Sequence, residues 1–166
     1  GSRLVLRCPQ LSEPSTVVRL RERCEKSGLD LSRLEFLGRA PHRDFLLGYN
    51  DIDIALDPFP YSGGLTTCEA LYMGVPVITL AGEIFAARHS VSHLSNVGLD
   101  EWVATDTPEY IRKTIAFASD LPALAALRAG MRKRVLVSPL CNAPRFGRSL
   151  GAGLRRAWED YCARNS

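Results

Sequence analysis

Gly63, Gly64, Thr66, Thr67 and Glu69 stand close together in the string PFPYSGGLTTCEALYMGVPVITL, residues 58–80. Placed between a strand and a helix, that set suits an anion. The first turn of a helix leaves backbone N–H groups without intrahelical partners, and its dipole is positive there. Gly63 and Gly64 have no side chain to hold a phosphate off that backbone. Thr66 and Thr67 add hydroxyl donors, which Leu65 does not. Glu69, about one turn further in, is awkward beside a phosphate but suits the hydroxyls of a ribose. The same residues also read as a plain turn, because Gly-Gly before a helix is usually no more than that. Glu in a first turn simply favours the helix dipole. The string is neither a Walker loop, lacking Gly-Lys-Ser/Thr, nor GxGxxG. Spacing alone leaves both readings open.

Other groups with chemical potential are weaker. His89 and His93 have the four-residue spacing of two zinc ligands on a helix, but no nearby Cys or third His completes a set. A surface or structural pair is expected, and no metal. Asp51, Asp53 and Asp57 surround a strand, and "LDPFP" favours Asp57 as a turn residue bonding its own backbone over a residue lining a cleft. Ser90 and Ser92 lack a base and orienting acid at recognisable spacing, so a serine hydrolase has little support. Tyr61 either stacks in a cleft or packs under the loop. Trp102, Trp158 and Tyr161 read as packing aromatics.

The elements that must position these residues alternate. Strands are expected at 3–8, 34–38, 52–57 (apolar enough for burial on both faces), 76–80 and 102–104. Helices are expected from Pro14 to about Lys26, after Pro41, from about Leu65 to Met73, and through EIFAARHSVSHLSNVG with Gly98 as its C-cap. Another opens with Thr107 as N-cap and Pro108 at the first position. Helices fill most of the rest, interrupted at SPLCNAP. Alternation of this kind implies an α/β, Rossmann-like parallel sheet flanked by helices, with ligands beyond the carboxyl ends of the strands. A last helix, about Arg145 to Cys162, places Phe146, Leu150, Leu154 and Trp158 on one apolar face.

The 166 residues, 46% hydrophobic and 23% charged, fit one soluble globular domain. Gly1-Ser2 reads as a tag remnant, leaving 3–166 as one domain cut from a longer protein. No apolar run approaches the ~20 residues of a membrane span. A net charge of +3 without aromatic-basic interleaving argues against nucleic acid. Five scattered cysteines, none in CxxC spacing, point to a reducing, cytoplasmic setting.

The longer string FLGRAPHRDFLLGYNDIDIALDPFPYSGGLTTCEALYMGVPVITLAGEIFAARHSVSHLSNVGL, continued by SPLCN and the RF, W and YC positions, resembles the C-terminal half of the catalytic region of O-GlcNAc-transferase-type, SPINDLY-like glycosyltransferases. The likeness covers essentially the whole chain. It implies the C-terminal, donor-binding domain of a two-domain GT-B enzyme with tetratricopeptide repeats upstream. It also implies UDP-GlcNAc or another UDP-sugar as donor, no cofactor, a Ser or Thr acceptor in a protein, and inversion at the anomeric carbon. By position, Ala40 offers backbone atoms to uracil and His42 flanks the base or ribose. Gly63, Gly64, Leu65, Thr66 and Thr67 line the diphosphate, Glu69 holds the ribose, and Arg88 matches a family arginine that faces the nucleotide or pairs within the fold. Ser62, Gly64 and Leu65 stand where many relatives have Asn-Gly, His or a third Thr, and Phe45 and Phe85 where histidines are common. Leu65, Phe45 and Phe85 each remove a polar contact, which implies reduced donor recognition. The acceptor side lies outside the chain, so no turnover is expected from it alone. Two rivals remain: a non-catalytic scaffold with a decayed site, and a GT-B enzyme acting on a lipid or small molecule.

Overall fold

The computed structural model describes residues 1–165 and divides into two units, Gly1–Leu47 and the described residues from Gly48 onward. In the first, β1 (Leu4–Arg7) pairs in parallel with β2 (Leu34–Leu37), Leu4 facing Leu34 and Arg7 facing Leu37. The amphipathic α1 (Pro14–Lys26) connects them, and α2 (His42–Leu47) follows β2.

The second unit is a three-stranded parallel sheet in the order β3 (Ala55–Leu56), β4 (Val77–Leu80), β5 (Val103–Ala104). Helix α3 (Leu65–Tyr72) joins β3 to β4, and α4 (His89–Asn96) joins β4 to β5. The chain ends in α5 (Thr107–Ser119), α6 (Leu121–Val137) and α7 (Ala143–Arg164). The three consecutive residues Val77, Ile78 and Thr79 of β4 are buried on both faces, because α3, α4 and α5 all pack against that strand. Around it Leu71, Val75, Leu94, Leu99, Trp102, Met131 and Val135 close the core.

Several expected elements shift, each for a local reason. The strand expected at 52–57 is only Ala55–Leu56, with Leu56 exposed. The Arg128 guanidinium takes the carbonyls of Ile52 and Asp53, so those residues do not extend the ladder. Full burial belongs to β4 instead. The long helix expected over 83–98 is a single turn, Phe85–Ala87, followed by α4. The Ala86 carbonyl, which a continuous helix would spend on its own next turn, accepts the backbone N–H and the hydroxyl of Ser62. Gly98 does close α4 with φ +68, as expected. The N-cap of α5 is Asp106 rather than Thr107, its carboxylate accepting from the Glu109 N–H at 2.7 Å. Glu109 reaches back to the N–H and hydroxyl of Thr105, and those two bonds first, with Lys113 after them, hold its carboxyl down at about 2. Helix α7 has no buried residue, and Phe146, Leu150, Leu154 and Trp158 are all exposed.

Candidate functional site

The loop between β3 and α3 is held by its own polar groups. Asp57, one residue beyond β3, is buried, and its carboxylate accepts from the Gly63 N–H and from the Thr79 hydroxyl of β4, each at 2.6 Å. The Tyr110 hydroxyl donates to the Asp57 carbonyl at 3.2 Å. Burial, and then the nearby Asp57 charge, pushes that phenol up to about 12. Ser62 is buried next to α4: besides donating to Ala86, its Oγ accepts the N–H of His89 at 3.0 Å and so caps that helix from another part of the chain. The fully buried Ser90 donates to the Gly63 carbonyl at 3.0 Å and shares a hydrogen bond of 2.8 Å with the Thr67 hydroxyl. A Cβ at Gly63 would lie 2.5 Å from Thr67 Oγ1, 3.0 Å from Asp57 Oδ1 and 3.2 Å from Thr66 Oγ1. Only glycine fits.

Helix α3 begins differently from α4. Its N-cap is Gly64, which brings no side-chain acceptor, and a Cβ placed there meets nothing within 4 Å. The N–H groups of Leu65, Thr66 and Thr67 belong to the first turn, where helix geometry supplies no acceptor. Leu65 and Thr66 are exposed, and the Thr66 carbonyl accepts from the Tyr49 hydroxyl at 3.1 Å. Thr67 is buried and its hydroxyl is committed to Ser90, so what it offers a ligand is its N–H. Glu69 lies partly buried on the next turn. A cleft of about 130 Å³ opens here, lined by Tyr49, Leu56, Asp57, Pro58, Thr66 and Thr67.

A second, more apolar cleft of about 280 Å³ lies beyond the carboxyl end of β4, between Phe59 and Pro60 on one side and Ala81–Ile84 on the other. Arg88 donates to the Gly82 carbonyl at 2.9 Å and braces that loop. His89 is packed edge-on against the exposed rings of Tyr61 (6.0 Å) and Phe85 (4.6 Å). His93, half-buried on the same helix, has its imidazole pushed down by burial and by His89, against a smaller opposing pull from Asp57.

Thus Gly63, Gly64, Leu65, Thr66, Thr67, Glu69 and Arg88 come from one unit, the first six from a single loop and helix start. Ala40 and His42 belong to the first unit, just after β2 and at the start of α2. Nothing local in the sequence marks the roles of Ser62, Thr79 or Ser90, whose contacts are far apart along the chain, and the string LDPFP favours a turn role for Asp57. An acidic residue at a strand's carboxyl end ahead of a glycine pair was the one available signal.

The family model described as glycosyl transferase family 41 matches residues 3–150. The chain belongs to glycosyl transferase family 41. It is 40% identical over 163 residues to the probable UDP-N-acetylglucosamine–peptide N-acetylglucosaminyltransferase SPINDLY of Arabidopsis thaliana, covering 98% of this chain and 18% of that protein. It is 28% identical over 142 residues to the UDP-N-acetylglucosamine–peptide N-acetylglucosaminyltransferase of Caenorhabditis elegans, covering 86% and 12%. A lysine-to-methionine mutant of the Thermobaculum terrenum O-GlcNAc transferase superposes with a TM-score of 0.91 at 40% identity, covering 99% of this chain and 32% of that one. The chain therefore spans about a fifth of the length of the SPINDLY relatives it matches. The structural match bears out the expected class: helices around parallel strands, as in the corresponding part of a GT-B glycosyltransferase. Among the described residues, no helix is long and apolar enough to cross a membrane.

Proposed function

We propose that this chain is the donor-binding portion of a cytoplasmic protein O-glycosyltransferase with tetratricopeptide repeats upstream. It takes a UDP-sugar, UDP-GlcNAc first among them, and the sugar passes to a Ser or Thr of an acceptor protein. The observation that carries this reading is the contrast between two adjacent helix starts. Ser62 caps α4, whereas α3 starts at a glycine with open space before it.

In the reaction the acceptor oxygen bonds to the anomeric carbon as the bond from that carbon to the diphosphate breaks, with inversion. The acceptor's proton goes to a base outside this chain. Charge growing on the diphosphate is met by the N–H groups of Leu65, Thr66 and Thr67 and by the Thr66 hydroxyl, fixed donors that need no reorganisation as the bond breaks. Gly64 lets the diphosphate approach, and Glu69 accepts from the ribose hydroxyls. A guanidinium carries five N–H donors, so the bond to Gly82 does not exhaust Arg88.

The test is transfer from UDP-GlcNAc to an acceptor protein by the full-length parent. Transfer that falls steeply in Glu69→Ala is expected, with none from the 166-residue chain alone. Turnover by this chain alone would contradict the second expectation. A parent without any transfer would favour the scaffold reading, in which the exposed Leu65 and Phe85 mark a decayed site.

A further inference from the structure

The donor site as described leaves one buried charge without a task. Asp57 is only 4% exposed, and burying a carboxylate is costly unless good donors hold it. Here the donors are the Gly63 N–H on Oδ1 and the Thr79 hydroxyl on Oδ2. We propose that Asp57 is the positioning residue of the donor site, fixing the Gly63 peptide so that the N–H groups at the start of α3 are aimed at a diphosphate. The proposal rests on the reading of α3 as a diphosphate cradle.

Gly63 is clamped from both sides. Its N–H is held by Asp57 and its carbonyl by Ser90. The peptide planes before and after it are therefore both fixed, and with them the direction in which Gly64 and the first turn of α3 depart. At 2.6 Å the Asp57 bond is shorter than an ordinary amide hydrogen bond. Thr79 ties the other oxygen to the most deeply buried strand, so the clamp is anchored in the core rather than in the loop. The crowding at Gly63 has the same origin: Asp57, Thr66 and Thr67 converge on the point where a Cβ would stand. A carboxylate behind the loop also opposes the negative charge in front of it. Asp57 thus sets the geometry of the donors while loosening their hold on the released diphosphate.

Geometry and charge separate in two variants. In Asp57→Asn the amide oxygen still accepts from Gly63, and the amide N–H₂ faces a Thr79 hydroxyl that can accept. In Asp57→Ala the clamp is lost. The probes are inorganic pyrophosphate and UDP, titrated calorimetrically, with the Gly63 amide resonance as the structural readout. The expected result is pyrophosphate binding about tenfold weaker or worse in Asp57→Ala and equal to or tighter than wild type in Asp57→Asn. The Gly63 amide should be slow to exchange in wild type and Asn and fast in Ala. Leu124→Ala, a core truncation on α6 at a residue that makes none of the hydrogen bonds around Asp57 and Gly63, controls for general loosening and should leave binding unchanged. Asp57→Ala binding like wild type, Asn failing along with Ala, or Leu124→Ala weakening binding equally would each overturn the assignment. If wild type binds pyrophosphate but not UDP and the Asp57 series holds, the donor reading fails and the positioning role stands. If wild type binds neither, both fail.

Discussion

Substitution of the two adjacent glycines by alanine separates the two jobs this loop does. At Gly63 the new methyl would sit 2.5 Å from Thr67 Oγ1 and 3.0 Å from Asp57 Oδ1. Neither neighbour is the loose end of a flexible side chain: Thr67 is tied to Ser90, and Asp57 holds both the Gly63 N–H and Thr79. Relief means breaking one of those bonds. Overpacking costs about 1–3 kcal/mol, and losing a hydrogen bond to a charged group about 1.5–3 kcal/mol. Because the clash is relieved by giving up a bond, the two overlap, and a loss of about 2–4 kcal/mol is expected. At Gly64 the methyl meets nothing within 4 Å, so Gly64→Ala escapes this clash and should cost less than Gly63→Ala. The proposed approach of the diphosphate runs over Gly64, so this methyl should weaken pyrophosphate binding. Urea unfolding of the two variants checks the stability contrast and calorimetry the binding. Equal stabilities for Gly63→Ala and Gly64→Ala would refute the packing argument, and unchanged binding in Gly64→Ala would refute the proposed direction of approach.

Four further outcomes are expected. Ser90→Ala leaves the Thr67 hydroxyl and the Gly63 carbonyl short of a partner and should cost about 1–3 kcal/mol in urea unfolding. The phenol of Tyr110, raised from 10.0 to about 12, favours the folded state below its unfolded value. Stability should fall as pH rises through the window from 10 to 12, and Tyr110→Phe should remove that part of the fall. The His93 imidazole is depressed from 6.5, so its contribution is present above 6.5 and lost as pH falls below it, a slope that His93→Gln should flatten in acid-range unfolding. The exposed stripe of Phe146, Leu150, Leu154 and Trp158 on α7 should drive self-association, and sedimentation of a strict monomer at high concentration would contradict that.

What could be read from the amino acids alone follows how local each signal is. Hydrophobic alternation, Pro at helix starts and Gly98 at a helix end act within a few residues, and the elements they mark are present in the structure. The misplaced boundaries have longer-range causes. Arg128 reaches back to Ile52 and Asp53, and Ser62 takes the Ala86 carbonyl, so a strand is shortened and a helix broken by partners distant in sequence. The Asp106 cap was missed by one residue because Asp and Thr are both good caps and only the reach of Glu109 to Thr105 decides between them. The same division runs through the site. A glycine pair ahead of threonines and a glutamate was visible as a strand-to-helix loop. That Thr67 turns inward to Ser90, and that Asp57 grips Gly63 and Thr79, depends on α4 and β4 arriving from elsewhere in the chain.

The most direct test of the donor-site reading is calorimetric titration of the chain with UDP, beside Glu69→Ala and with ADP as the control. The account predicts UDP binding with a Kd of roughly 0.1–1 mM, worth about 4–5.5 kcal/mol, lost in Glu69→Ala and not matched by ADP. UDP binding that survives in Glu69→Ala, or ADP binding as well as UDP, would contradict it.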